Sequence, residues 1–330
     1  MRREVPENRF TWRLGDMRIS SRICFALALA TVLGAGGWWT ETNAQQPASK
    51  PASKQEEKDV PVTTPKGPPP KDFVVPRDAA PLTYQVVPVP NGGTIKGKAS
   101  FAGNVPAAKV FKVEKTPEVC GAEDRLLYEV SAKGGTLADV VVILEGVTSG
   151  KPFSNFTIAG PPPGQRQAAG TSDKFMGTTL KPQKCIFGAF TGVIANGSVI
   201  RFDNQDPVKH SPHTYEVRGT VRDSLHNQDL EGNGFLKLGI KFKRDTAKIV
   251  KLECDQHNHM QNWFYRVDNP YFAFSGPDGT FEIAQVPPGK YKLTAWHPIL
   301  GESSQEVTVE AKGTATANFE LTAGRRRRAS

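Results

Sequence analysis

From Gly92 onward, apolar and polar positions alternate over short runs, and turn signals separate the runs. Gly93 to Phe101 reads as a strand. Val250, Leu252 and Cys254 alternate with Lys251 and Glu253, a period of two that places the cysteine on the inward face at a strand end. Trp263, Tyr265 and Val267 alternate again, as do Phe281 with Ile283 and Tyr291 with Leu293 and Ala295. Val140-Val141-Val142-Ile143-Leu144 is uninterrupted and predicts a buried strand, while Val199 to Phe202 predicts another after the Asn196-Gly197 turn. Gly160 to Gly170, with Pro161-Pro162-Pro163-Gly164, reads as a loop. Pro277-Asp278-Gly279 and Pro287-Pro288-Gly289 are further turns. No segment carries a helical stripe with caps. Many short strands with close-set turns predict an all-β chain built of β-sandwiches.

The first ninety residues follow a different pattern. Arg13, Arg18 and Arg22 precede an apolar run from Ile23 to Trp39, and Thr42-Asn43-Ala44 offers small residues after it. Residues 1–44 therefore read as a signal peptide cut after Ala44, the alternative being an uncleaved membrane anchor. The rest of the chain is expected in a bacterial periplasm or secreted. Residues 45–91 hold eleven prolines between Pro47 and Pro90 and few large apolar side chains, so a disordered Pro-rich linker is expected there. The 31 Gly and 26 Pro among 330 residues argue against a helical bundle or coiled coil.

Net charge is +9, of which +2 lies in residues 1–44 and +4 in Arg325-Arg326-Arg327-Arg328. The strand-rich part is nearly balanced, which argues against nucleic-acid binding. The basic tail, 323–330, could touch an acidic lipid surface weakly or remain solvated. Cys24 leaves with the signal, so Cys120, Cys185 and Cys254 remain. An odd number in an exported chain suggests one disulfide and one thiolate with another task. Cys120–Cys185 is the natural bridge, because Cys254 sits among metal-ligating residue types; closing it restrains the unfolded chain by about 4 kcal/mol. The alternative is two reduced, buried thiols.

Two clusters carry the candidate chemistry: Asn204-Gln205-Asp206-Pro207-Val208-Lys209-His210-Ser211-Pro212-His213 and Cys254-Asp255-Gln256-His257-Asn258-His259-Met260. One thiolate, two imidazoles and a thioether form the ligand set of a mononuclear type 1 (blue) copper site. Soft sulfur ligands stabilise Cu(I), imidazoles also suit Cu(II), and little needs to move when one electron passes. Zinc is the less suitable ion, since its structural sites favour paired cysteines and methionine is a poor ligand for it.

This C-x2-H-x2-M loop at a strand end, with a histidine some forty residues upstream, resembles the cupredoxins, and its shortness resembles amicyanin. The resemblance implies copper ligands His210, Cys254, His257 and Met260. His213 and His259 are alternative ligands if the register slips. Ser211 stands where many cupredoxins place a bracing Asn. The resemblance further implies that His257 reaches the surface as an electron port, with Trp263, Phe264, Pro270 and Tyr271 forming an apolar docking patch or else core. His226 reads as a solvated loop residue and His297 as surface packing.

Ser275 to Ile283 and Val286 to Leu293 resemble the second half of a carboxypeptidase regulatory-like domain, a transthyretin-like β-sandwich, with Gly93 to Phe101 and Ala138 to Leu144 as its first strands. The expected layout is a sandwich with halves at 92–150 and 269–322, interrupted at 151–268 by a cupredoxin-like Greek-key sandwich; a plain tandem is the competing layout. The expected function is an exported, non-enzymatic copper protein carrying single electrons between redox partners, a cytochrome c or a dehydrogenase by analogy. The alternative is a non-redox binding or structural module, carbohydrate-associated or with a storage or delivery copper site.

Overall fold

The computed structural model describes residues 83–159, 166–172 and 177–323. The expected signal peptide, most of the expected linker and nearly all of the basic tail lie outside the described residues. The chain is all-β as its alternation predicts; Pro117–Cys120 is the one α-helix among the described residues. None of them forms a helix long and apolar enough to cross a membrane.

Two five-stranded sheets form the first sandwich. One runs Arg166–Ser172, Phe153–Ala159, Gly177–Lys181, Val199–Asp203, Phe235–Gly239; the other runs Thr191–Ile194, Gln261–Arg266, Ile249–Cys254, Pro212–Arg218, Val221–Asn227. Phe187, Phe202, Ile200, Leu238, Val250, Leu252 and Phe264 fill the space between them. Of the loop expected at 160–170, residues 160–165 lie outside the described residues, and Arg166–Ser172 is instead a strand paired antiparallel with Phe153–Ala159.

The second sandwich takes strands from both sides of the first. Val141–Glu145 lies between Phe272–Phe274 and Gly289–His297, and Gly301–Val309 completes that sheet. Gly93–Ala102 pairs with Thr280–Val286 on one side and with Thr314–Thr316 and then Phe319–Thr322 on the other. The changeover falls at Gly97, where the Ala317 carbonyl approaches too closely for any Cβ. Ile95, Leu137, Leu293 and Phe281 belong to this second core.

The uninterrupted apolar run at 140–144 has a clear cause. Val141 and Ile143 face the first core, while Val140, Val142 and Leu144 face the second. The run is covered on both faces, so no polar position survives between 140 and 144. Trp296, on the neighbouring strand, is buried against Tyr265 of the first sandwich with ring centroids 5.1 Å apart.

Two segments depart from the sequence expectation. The last part of the presumed linker is ordered: Gln85–Val86 pairs parallel with Ser149–Gly150, and Tyr84 packs edge-on against Phe153. Between Ala102 and Ala132 the chain leaves the second sandwich as a hairpin, Lys109–Phe111 with Arg125–Leu127, joined through the Pro117–Cys120 turn. A disulfide ties this excursion to the first sandwich through Cys120 and Cys185.

Candidate metal centre

The strand Ile249–Cys254 delivers Cys254 to one end of the first sandwich, where the chain turns tightly. The amide of His257 donates to the Cys254 carbonyl (3.2 Å), that of Met260 to the His257 carbonyl (2.9 Å) and that of Cys254 to the Met260 carbonyl (3.2 Å). These bonds fold residues 254–260 into a short loop whose side chains at 254 and 257 share one side.

The upstream histidine arrives by a second loop, braced by Asn204. Its Nδ2 donates to the carbonyls of Val208 (2.9 Å) and Glu231 (3.0 Å), and its Oδ1 accepts from the Asp206 amide (3.1 Å). His210 then pairs through its backbone with Leu230 and is fully buried.

Three atoms converge. Nδ1 of His210 and Nδ1 of His257 lie 3.2 Å apart, and Cys254 Sγ lies 3.9 Å and 3.7 Å from them. A point equidistant from all three is about 2.1 Å from each, close to metal–nitrogen and metal–sulfur bond lengths of about 2.0–2.3 Å. The triangle therefore fits a small metal ion. Met260 closes the same loop and is buried. His213 and His259, the alternatives expected if the register slips, have other partners. His213 is engaged by Asp255, Ser224 and Tyr215, and His259 Nε2 bonds to the Cys185 carbonyl at 3.0 Å.

Each converging ring is held by its outer nitrogen. His210 Nε2 meets Asp206 Oδ2 at 2.9 Å, and His257 Nε2 meets Thr116 Oγ1 at 3.0 Å. Such partners fix which nitrogen faces the ion and how the ring is turned. Burial favours a neutral Cys254, but the His210 and His257 rings and the Ser211 amide at 3.4 Å outweigh it and hold the thiol down at about 6. Burial also disfavours charge on His210; Asp206 and Cys254 overcome this and lift it to about 9. The metal-free pair thus favours a thiolate beside an imidazolium. Burial raises Asp206, yet His210 and the amides of Cys185 and Lys184 bring it below the usual carboxylate range.

Sequence reasoning gives Thr116 and Asp206 no role. Asp206 lies within the upstream cluster, four residues before His210, and that spacing is its signal. Thr116 has a weaker one: it lies four residues before Cys120, whose bridge brings it to the site.

Three other expectations are corrected, and one left open between two readings is decided. His257 is not a surface port: it is 4% exposed, because Thr116 covers its outer nitrogen. Phe264 and Tyr271 are fully buried and Trp263 half-buried, so this group is core and not a docking patch. His226 lies on the strand Val221–Asn227 and bonds to Thr214 Oγ1. His297 is fully buried at a strand end.

A family model described as Polysaccharide lyase family 4, domain II, matches residues 254–317, a β-sandwich segment that includes the 254–260 loop. No curated protein matches the chain. Among solved structures, a reduced Cu(I) amicyanin variant has 11% identity and a TM-score of 0.23, covering 27% of this chain and 80% of its own. Amicyanin from Paracoccus versutus has 10% identity and a TM-score of 0.23, covering 27% of this chain and 79% of its own.

Proposed function

We propose that the chain holds one copper ion between His210, Cys254, His257 and Met260 and carries single electrons as an exported, cupredoxin-type protein. The observation that supports this reading is the buried triangle of one sulfur and two Nδ1 atoms, sized for an ion. Bound there, copper would supply a one-electron change between Cu(I) and Cu(II). The residues of the chain supply everything else. Cys254 is already biased toward thiolate. Asp206 and Thr116 keep both rings facing inward. Burial excludes water, and the sheet ends limit how far the ligands can shift between oxidation states.

The partner implied by the family resemblance is another redox protein, a cytochrome c or a dehydrogenase. Because Thr116 covers His257, that partner would meet the 109–127 excursion and not the imidazole ring. The second sandwich serves as support. A second reading is favoured by the family match over residues 254–317: the sandwiches form a carbohydrate-associated binding module, and the site holds copper for storage or delivery.

The deciding experiment is the visible spectrum and copper content of the full chain loaded with Cu(II). A carrier should bind one copper with a strong thiolate-to-copper band that disappears in Cys254→Ser. Copper bound without that band would favour storage or delivery. No bound copper would leave the binding module.

A further inference from the structure

The disulfide stands at the back of both imidazoles. On one side, Cys120 Sγ lies 3.2 Å from Thr116 Oγ1, the hydroxyl that holds His257 Nε2 at 3.0 Å. On the other, the Cys185 amide donates to Asp206 Oδ2 at 2.9 Å, the oxygen that meets His210 Nε2 at 2.9 Å. The sulfurs of Cys120 and Cys185 and a ring nitrogen of His257 all lie within 4.8 Å of one another. One covalent bond therefore joins the outer partners of the two ring ligands, which come from loops 47 residues apart.

The backbone at both anchors is held in a costly conformation. Thr116 has φ 48°, Lys184 φ 50° and Cys185 φ 55°. A β-branched residue in the left-handed region is an outlier, and such strain persists only where surrounding bonds over-determine it. The Lys184 and Cys185 amides both point at the Asp206 carboxylate because of that conformation. Clefts of about 360 and 340 Å³ flank the cover, and His257 lines both. Thr116 and its neighbours thus form a narrow lid on the ring.

We propose that the Cys120–Cys185 disulfide is a redox-labile clamp on both imidazoles. Closed, it seats Thr116 over His257 and fixes Asp206 behind His210. Opened, it uncovers His257 and slackens both rings. Cys120 and Cys185 are fully buried, so opening needs a transient displacement of the 109–127 excursion and a dithiol reductant. One of its thiolates attacks a sulfur of the bridge, the S–S bond breaks, and a mixed disulfide forms. Its second thiol resolves that intermediate. The reductant ends as a disulfide, and two electrons and two protons have passed to Cys120 and Cys185. Thr116 is a positioning residue in this scheme. The consequence for a bound ion rests on the copper reading; the uncovering of His257 does not.

The test separates the two. In the full, metal-free chain, deuterium exchange at the histidine C2 position is followed residue by residue by mass spectrometry, before and after reduction with dithiothreitol. His257 should exchange slowly in the oxidised chain and several-fold faster after reduction, with His226 unchanged as the internal control. Equal His257 rates in the two states overturn the clamp. The Cys120→Ser, Cys185→Ser double variant should match the reduced chain; if it does not fold, reduction of the native chain still decides. Thr116→Val keeps the bridge and the bulk of the lid. It should leave His257 slow to exchange but shift the thiolate-to-copper band of the Cu(II)-loaded chain. An unmoved band overturns the positioning role. If no copper binds at all, the copper reading fails while the exchange measurement still judges the clamp.

Discussion

The two sandwiches are built alike and filled differently. The second buries Ile95, Leu137, Leu144 and Leu293 in an apolar interior, and its interior Asn269 and Ser275 serve neighbouring backbone. One end of the first buries a carboxylate, three imidazoles and a thiol together: Asp206, His210, His257, His259 and Cys254. Burying a polar group costs free energy unless it is paired, and burying a charge costs more. His297 aside, the second sandwich meets its interior polar groups with neighbouring backbone; the first gathers five ionisable groups at one end and offsets their cost with partners there. The lesson is that the strands of both supply stability, whereas chemistry belongs to the loops of one.

The sharpest way to break this contrast is to remove the acid that closes the network. Asp206 accepts from the amides of Lys184 and Cys185 and faces His210 Nε2. Removing one member of a buried charged pair costs about 3–5 kcal/mol, because the other is left uncompensated. Asp206→Ala should lower the unfolding free energy of the metal-free chain by about that amount in urea titration. A loss below about 1 kcal/mol would show that the network is not the strained, interdependent unit described.

Much of this contrast is legible in the order of residues along the chain. Alternation at 250–254 and 281–295 marks strands and their inward faces, since a pleated sheet with one buried face enforces that period. The bridge between Cys120 and Cys185 is the pairing that an odd thiol count and the setting of Cys254 favour over two reduced thiols, and the grouping of His210, Cys254 and His257 is what the family resemblance implies. What is not legible depends on long-range packing. Thr116 is an ordinary polar residue in sequence; only the hairpin at 109–127 and its bridge carry it across to His257. The burial of His257 is hidden for the same reason, because its cover comes from 141 positions away. His297 is hidden too: a histidine beside Trp296 at a strand end looks like a rim residue, whereas the neighbouring sandwich covers it.

His297 allows the comparison to be sharpened by pH. It ends a strand of the second sandwich, with its ring 6.4 Å from that of Phe190 in the first. Its Nδ1 accepts from the Ile299 amide, and its Nε2 has no hydrogen-bond partner among the described residues. Burial lowers it from 6.5 to about 4, with only partial opposition from Asp139. The unfolded chain therefore takes up a proton near pH 6.5 that the folded chain refuses until about pH 4. The stability contribution is complete above pH 6.5 and is lost as pH falls toward 4, amounting to about 3 kcal/mol. His297→Leu should flatten the acid limb of the stability curve by about 2–3 kcal/mol between pH 7 and 4.5. His259, also lowered to about 4 by burial, leaves a residual slope. An unchanged limb would mean that His297 is solvated in the folded chain.

The smallest effect tests whether the second sandwich is as plainly structural as its interior implies. Ser275 is buried; its hydroxyl donates to the Leu137 carbonyl at 2.8 Å and accepts from the Val140 amide at 3.0 Å. Its own backbone amide donates to the Val140 carbonyl, so the side chain stitches the end of one strand to the entry of the doubly covered strand. In Ser275→Ala the amide of Val140 and the carbonyl of Leu137 lose that partner without gaining water. Leaving such groups unmet costs about 1–2 kcal/mol. Thermal unfolding should register the loss as a lower Tm. The absorption band of the copper-loaded chain should not move, because no bond of Ser275 leads to a ring ligand. A shifted band with little change in Tm would reverse the division of labour between the two sandwiches, placing the second within the apparatus that tunes the site.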